Sequence, residues 1–262
     1  MAHLSVNGIA LECSTSAWEP MRLGEVARSL NGAPRSSVRV RKRDYRFTTD
    51  TTGTEVEEAQ ALQSLVEGEG HAWTFESDLA SSRGLLPLAT SGTVTVGLVG
   101  GVHSQCLFAQ AGAEVTWALG HSGSWTALYF REESGTFAHY VVRNTLGTVE
   151  VWRNDEKTDV DPGVITLPGG NLQLEAAGAD ETIDDLVFLP YAVPDNWPGP
   201  LWEYHMLNEW PALPFVRASG PGVPSGGIAA IGQVGTVQRV HMVQEDGTFG
   251  VGEVFDFSLI AT

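Results

Sequence analysis

The stretch SWTALYFREESGTFAHYVVRNTLGTVEVWRND, Ser124 to Asp155, holds three short runs of β-branched and aromatic residues, broken by Glu133-Ser134-Gly135 and by Leu146-Gly147. Short apolar-rich runs punctuated by glycine turns predict two consecutive antiparallel hairpins. Side chains alternate across a strand, so Thr126, Leu128 and Phe130 share one face, and Trp125, Ala127, Tyr129 and Arg131 the other. The following runs divide in the same way. Ala138, Tyr140 and Val142 oppose Phe137, His139, Val141 and Arg143, while Val149 and Val151 oppose Glu150 and Trp152. One face is expected to be core and the other to mix aromatics with charge.

Downstream of the hairpins come Asn171-Leu-Gln-Leu-Glu and then Ile183-Asp-Asp-Leu-Val-Phe-Leu-Pro. With these, residues 90 to 197 resemble the laminin-G or concanavalin-like sandwich, whose late strand carries an Ile-Asp-Asp-Leu type signature. The resemblance implies a jelly-roll β-sandwich with a curved sheet that often binds glycans. Saccharide rings stack on aromatic faces, and charged or amide groups take their hydroxyls. Trp125, Tyr129, His139, Arg143 and Trp152 are therefore the candidate glycan-binding residues. The competing expectation is that a further layer or a neighbouring subunit covers this face, because aromatics of this size seldom stay bare.

The chain has 262 residues, 42% of them hydrophobic, which is enough for one large domain or two modest ones. Its 30 glycines and 13 prolines, beside one clear helix signal, indicate a mainly β protein. A formal charge of −17 argues against non-specific binding of nucleic acid by the whole surface, since phosphate contacts need positive potential. Cys13 and Cys106 lie far apart and read as two unpaired, small apolar thiols. No charged-then-apolar leader is expected at the start of the chain, and no run approaches the ~20 apolar residues of a membrane span.

Leu4 to Glu12 reads as an opening strand. The segment Arg35 to Phe47 contains six of the fifteen basic residues, Arg35, Arg39, Arg41, Lys42, Arg43 and Arg46. Two readings stay open: a solvated strand face or charged edge that resists aggregation, or an assembly surface that meets an acidic partner or lines a channel containing DNA. The assembly-surface candidates are Arg35, Arg39, Arg41, Arg43 and Arg46. Thr54 followed by Glu57 forms a capping box, and Val56, Ala59, Leu62 and Leu65 or Val66 recur at helical spacing. With Gly68 as a stop, a helix is predicted from about Glu55 to Glu67. His71, Trp73 and Phe75 then alternate as a strand for that helix to pack beside.

This order of strand, basic strand, capped helix and aromatic strand ends in Gly68-Glu-Gly-His-Ala-Trp-Thr-Phe. Over residues 1 to 80 and 212 to 262 it resembles the distal tail and tail-tube proteins of long-tailed bacteriophages. The resemblance implies a β-barrel or sandwich flanked by one helix, assembly into rings, and often an additional lectin-like sandwich. The expected organisation is a tail-tube-like first part over 1–84, a laminin-G or concanavalin-like sandwich over 85–200, and return strands over 201–262 that complete the first domain. Strand runs at Phe215 to Ala218, Gly232 to Gln244 and Gly252 to Leu259, with a turn at Asp246-Gly247, fit that return. The implied protein is a structural component of the virion tail, with itself, tail-tube and hub proteins as partners and a host-surface glycan as a possible ligand. The alternative is a free-standing carbohydrate-binding protein or glycan-active enzyme.

Catalytic chemistry is not expected. Adjacent Glu132 and Glu133 point to opposite faces, so they cannot pair as acid and nucleophile within one regular strand. Asp180 and Asp184 sit in or beside a Gly/Ala-rich turn. No nucleophile elbow, phosphate loop or zinc helix appears, and no two histidines have metal-ligand spacing on one element. Asp155, Asp159 and Asp161 offer carboxylates in one acidic loop, 154 to 161, and are the candidate calcium ligands. The aromatic-rich segment Leu201 to Trp210, with Trp202, Tyr204, His205 and Met206, reads as a packed seam between domains in preference to a ligand site.

Overall fold

A computed structural model of the chain describes residues 2–23, 26–28, 34–36, 40–49, 54–103, 105–160, 162–221, 223–243 and 249–261. In chain order the strands begin with β1 (Ala2–Val6), β2 (Ile9–Leu23), β3 (Val26–Arg28), β4 (Pro34–Ser36), β5 (Val40–Thr49) and β6 (Thr54–Glu55). Helix α1 (Val56–Val66) follows, then β7 (His71–Trp73), β8 (Ala89–Ser91), β9 (Val94–Val99), β10 (Gln105–Ala109) and β11 (Glu114–Trp117). The two hairpins supply β12 (Trp125–Glu133), β13 (Thr136–Thr145), β14 (Thr148–Arg153) and β15 (Glu156–Thr158). After β16 (Ile165–Thr166), β17 (Leu172–Glu175) and β18 (Glu181–Leu189) come α2 (Pro198–Leu207), β19 (Phe215–Ser219), β20 (Ile228–Val243) and β21 (Phe249–Ala261). The protein is mainly β, and among the described residues each strand pair with a defined register is antiparallel. The chain separates into two compact units, one of residues 1–6, 10–68 and 215–262, the other of residues 7–9 and 69–214. Residues 69–84 and 201–214 thus belong with the second unit, although the sequence reading assigned them to the first.

In the first unit the strands run in the order β20, β19, β1, β2, β5, β21, β6, and β20 also pairs with β21. That extra pairing closes the path through six strands, which removes the free edges an open sheet would leave. The opening strand expected over Leu4 to Glu12 is two strands. Asn7 (φ 46°) and Gly8 (φ 87°) turn the chain between β1 and β2, and Asn-Gly is the pair that tolerates two positive φ values in succession. Alternation along β5 and β21 buries Tyr45, Phe47, Phe255, Phe257 and Leu259, with Phe47 stacked on Phe257 at 5.2 Å between ring centroids.

Helix α1 buries Ala59, Ala61, Leu62, Leu65 and Val66 and packs on β20 and β21. Its N-cap is Glu55, which makes no side-chain cap bond, and Thr54 lies in β6, so the N-cap falls one residue after the expected Thr54. Gly68 does stop it, at φ 62° with its N–H donating to the Leu65 carbonyl at 3.1 Å. Gly232 in β20 lies beneath the last turn, where a Cβ would come within 1.9 Å of the Val66 carbonyl oxygen. The strand carries glycine there because the helix end approaches its backbone.

The second unit is built on two sheets. The larger runs β15, β14, β13, β12, β18, β10, β9, with β7 paired to β18, and the smaller runs β16, β17, β11, β8. The pairing of β7 with β18 corrects the expectation that this strand packs beside α1. The sheets enclose a common core that includes Trp73, Leu107, Trp117, Trp125, Tyr129 and Phe188. Trp117 anchors it, packing on Trp73 at 5.0 Å and donating its indole N–H to the Leu79 carbonyl at 2.9 Å. Cys13 and Cys106 are both free and buried, and burial raises both thiols, Cys13 to about 11. Neither is a reactive thiolate at neutral pH. Among the described residues no helix is long and apolar enough to cross a membrane.

Candidate functional site

The larger sheet of the second unit is buried on both faces, which decides the fate of the sequence-predicted residues. Cross-strand pairing sets Tyr129 opposite Tyr140 and Phe130 opposite His139. Trp125 and Tyr129 therefore enter the core between the sheets. His139, Arg143 and Trp152 occupy the opposite face, together with Leu128, Phe130 and Val141, and are buried as well. The five glycan-binding candidates neither share a face nor present a bare aromatic platform.

The cover on that opposite face includes α2, which packs on β13. Pro198 opens the helix, where its missing N–H costs nothing, and the helix buries Pro198, Leu201 and His205 at spacings of three and four. The aromatic-rich segment 201–210 is thus partly helical and belongs to the second unit. Arg143 is fully engaged there. It donates to Glu150 through Nε (3.0 Å) and Nη2, to the Val193 carbonyl (2.7 Å) and to Asp195 (2.5 Å), and its guanidinium lies over the Trp152 ring at 5.0 Å. Stacking on a ring while donating to several fixed acceptors is a structural use of arginine.

Of the acidic residues proposed for calcium, Asp155 and Asp159 lie on either side of a short strand. Asp155 (φ 72°) sits in the turn between β14 and β15, and Asp159 lies beyond β15, so residues 154–160 are a turn and a strand and not a single loop. Three strand residues lie between the two, a chain span of at most about 13 Å. Asp161 falls outside the described residues. Of the basic candidates, Arg43 and Arg46 are exposed on β5, and Arg46 Nε contacts Asp44 at 3.1 Å. Arg39 lies outside the described residues, and the side chains of Arg35 and Arg41 are likewise not described. So is the turn expected at Asp246-Gly247.

What the outer face of the larger sheet does assemble is a cluster of three histidines and two aspartates around Phe130. The rings of His103, His139 and His205 stand 5.6, 5.0 and 4.6 Å from the Phe130 ring. Strand β18 brings both Asp184 and Asp185, which a regular strand would send to opposite faces. The register against β12 shifts between Leu128 and Phe130, and Asp185 adopts φ 42°. A bulge of this kind re-aims a side chain, and left-handed backbone at a non-glycine residue is strained. Asp184 then accepts three backbone N–H groups, from Val102 (2.7 Å), His103 (3.3 Å) and Asp185 (2.9 Å). Gly101 permits this approach, since a Cβ there would meet Asp184 Oδ2 at 2.6 Å.

Asp185 faces two imidazoles. Its Oδ2 lies 3.7 Å from His103 Nε2 and 3.5 Å from His205 Nε2, while the Trp210 backbone N–H bonds to the carboxylate. His205 Nδ1 is 3.0 Å from His139 Nε2, and His103 Nε2 is 2.7 Å from the His205 carbonyl oxygen. Ligand atoms of His103, Asp185 and His205 all fall within 4.8 Å of one another. Burial lowers His205 to about 3, with His103 adding to the shift, and holds His139 well below its ordinary value, with His205 adding. It raises Asp184 to about 6, with Asp185 adding, and raises Asp185 to about 6 against the opposing effect of His103. His139 and His205 are therefore neutral near pH 7, with lone pairs available.

Sequence reasoning missed this cluster because its parts come from a loop, a strand and a helix, so no fixed spacing marks it. One signal was present. Two adjacent aspartates inside the otherwise apolar run Ile183 to Leu189 are a buried-polar anomaly, and such anomalies are more informative than exposed apolar residues. No family model matches this chain. No curated protein matches it either.

Proposed function

We propose that the chain is a structural subunit of a long-tailed bacteriophage tail, of the distal-tail or baseplate-hub kind, which builds a ring through its first unit and carries the second as an insertion. The observation that supports this reading most is the closed strand path of the first unit. Both ends of the chain contribute to it, one helix packs against it, and a unit with its own core interrupts it. Its partners on this reading are further copies of itself and the tail-tube and hub proteins. The second unit is the laminin-G-like module of the reading. A glycan, if bound, would use a surface other than the five buried side chains.

The ring contact on this reading is the far end of the β20–β21 ribbon. From Gln238 to Val243, β20 pairs only with Phe249 to Val254 of β21, extending past its pairing with β19 at 228–231. Exposed Val237, Phe249 and Val251 line this ribbon, Phe249 being 82% exposed. Beyond Gly252 and Glu253, which pair with β6, the ribbon is only two strands wide and marginal by itself, and pairing or packing with a neighbour supplies the missing layer. Repeated head-to-tail contacts of this kind close into rings.

Replacing Phe249 and Val251 together with Glu is expected to leave the folded protomer intact, because exposed positions change stability by about 0.5 kcal/mol or less. The same change should reduce an assembled ring to protomers by setting like charges in the contact. Circular dichroism and light scattering on the double variant check both halves. Unchanged assembly would remove the ribbon from the interface.

A further inference from the structure

We propose that His103, Asp185 and His205 form a binding site for a single divalent first-row transition metal ion, zinc by the chemistry of the ligands. The inference stands apart from the tail reading and survives its failure. It starts from two atoms that the fold buries and leaves without partners. Asp185 Oδ2 and His205 Nε2 have no hydrogen-bond partner, on side chains 2% and 0% exposed. They face each other at 3.5 Å, too far for a good N–H···O bond. Buried polar atoms are almost always satisfied, and leaving two of them bare and facing is costly.

A cation between them satisfies both, and the spacing fits one. Metal bonds of about 2.0–2.1 Å in a tetrahedral site put ligand atoms about 3.4 Å apart. The two Nε2-to-Oδ2 distances here are 3.5 and 3.7 Å. Surrounding groups orient the ligands as metal sites require. The remaining nitrogen of His205 is held by His139 at 3.0 Å, the Asp185 carboxylate is held by the Trp210 N–H, and the bulge at Asp185 aims it inward. Asp184 is excluded as a ligand because three backbone N–H groups already use its oxygens.

His103 is the ligand that must adjust. Its Nε2 contacts the His205 carbonyl, so binding requires that nitrogen to turn its lone pair to the ion while Nδ1 carries the proton. It is also the most accessible of the three, with its side chain 15% exposed, and so marks the path of entry. Two imidazoles and one carboxylate suit zinc, cobalt or iron(II) better than calcium, which takes six to eight oxygens. Three protein ligands leave a fourth position for water or an added group.

The test uses the full chain, stripped with a chelator and titrated with zinc chloride by calorimetry, and separately with cobalt(II) by visible absorbance. The expected result is one ion per chain, a rise in Tm on adding zinc, and the intense d–d bands of tetrahedral cobalt. His205→Gln and Asp185→Asn should each weaken zinc binding by about a hundredfold or more, and His139→Gln by roughly tenfold to a hundredfold. His103→Gln alters the most exposed ligand and keeps the test decisive if the buried variants do not fold. It should fold and lose zinc binding and the cobalt bands. Absence of any zinc heat or Tm shift in the wild-type chain overturns the proposal. So does equal zinc binding by wild type and His103→Gln, which would mean adventitious surface binding.

Discussion

Replacing Trp117 with Ala is expected to cost the second unit about 3–5 kcal/mol, the range for deleting a large aromatic from a core that cannot collapse around the space. Trp117 is fully buried on β11, in the smaller sheet, and its ring meets Trp73 on β7 of the larger sheet. One side chain therefore bridges the two layers, and its removal leaves a cavity between sheets that ladder hydrogen bonds hold in place. The Leu79 carbonyl also loses the indole N–H that it accepts. Denaturant unfolding checks the value. Val149→Ala, at a position 44% exposed, serves as the control and should change stability by about 0.5 kcal/mol or less. A Trp117→Ala loss below about 1 kcal/mol would mean that the sheets do not enclose this residue.

Replacing Asp184 with Ala is the second large effect, about 3 kcal/mol or more, because stranding a buried donor costs about 1–3 kcal/mol and three donors lose their acceptor together. The substitution frees the loop at Val102 and His103 from β18 and strips the bulge of the bond between Asp184 Oδ1 and the Asp185 N–H. Asp184→Asn keeps the volume and one acceptor oxygen, so it should cost less than half as much. Equal losses from the two variants would show that the charge, and not the acceptor geometry, carries the contribution. Chemical unfolding in chelator-containing buffer separates this effect from any metal bound next door.

The strands that carry strong local signals were legible. Alternation with glycine turns located β12, β13 and β14, and helical spacing with the Gly68 stop located α1 to within a residue at each end. Errors arose where a distant element decides the outcome. Alternation divides Tyr129 from Phe130, yet it cannot reveal that a second sheet covers the first and a helix region the other, so a mixed face read as exposed is buried. Helix α2 gave little signal because Trp202, Tyr204, Met206 and Leu207 surround it with apolar character and blur the stripe that Leu201 and His205 form. Asn7-Gly8 is itself a hairpin signal, and it divides Leu4 to Glu12 between two strands.

The histidine and aspartate cluster illustrates the same limit. His103 and His205 are far apart in sequence, and Asp185 reaches them only because a bulge reverses its expected direction. Local pattern fixes which residues lie on a strand. It does not foresee which loop a bulge will meet.

The central functional claim is that the closed first unit is a ring-building module. Light scattering of the purified chain across a range of concentrations tests it most directly. The account predicts a trimer-like or hexamer-like multiple of the 28.1 kDa protomer, formed by the chain alone or with a tail-tube or hub protein added. A strict protomer mass at every concentration, with and without those partners, would contradict it.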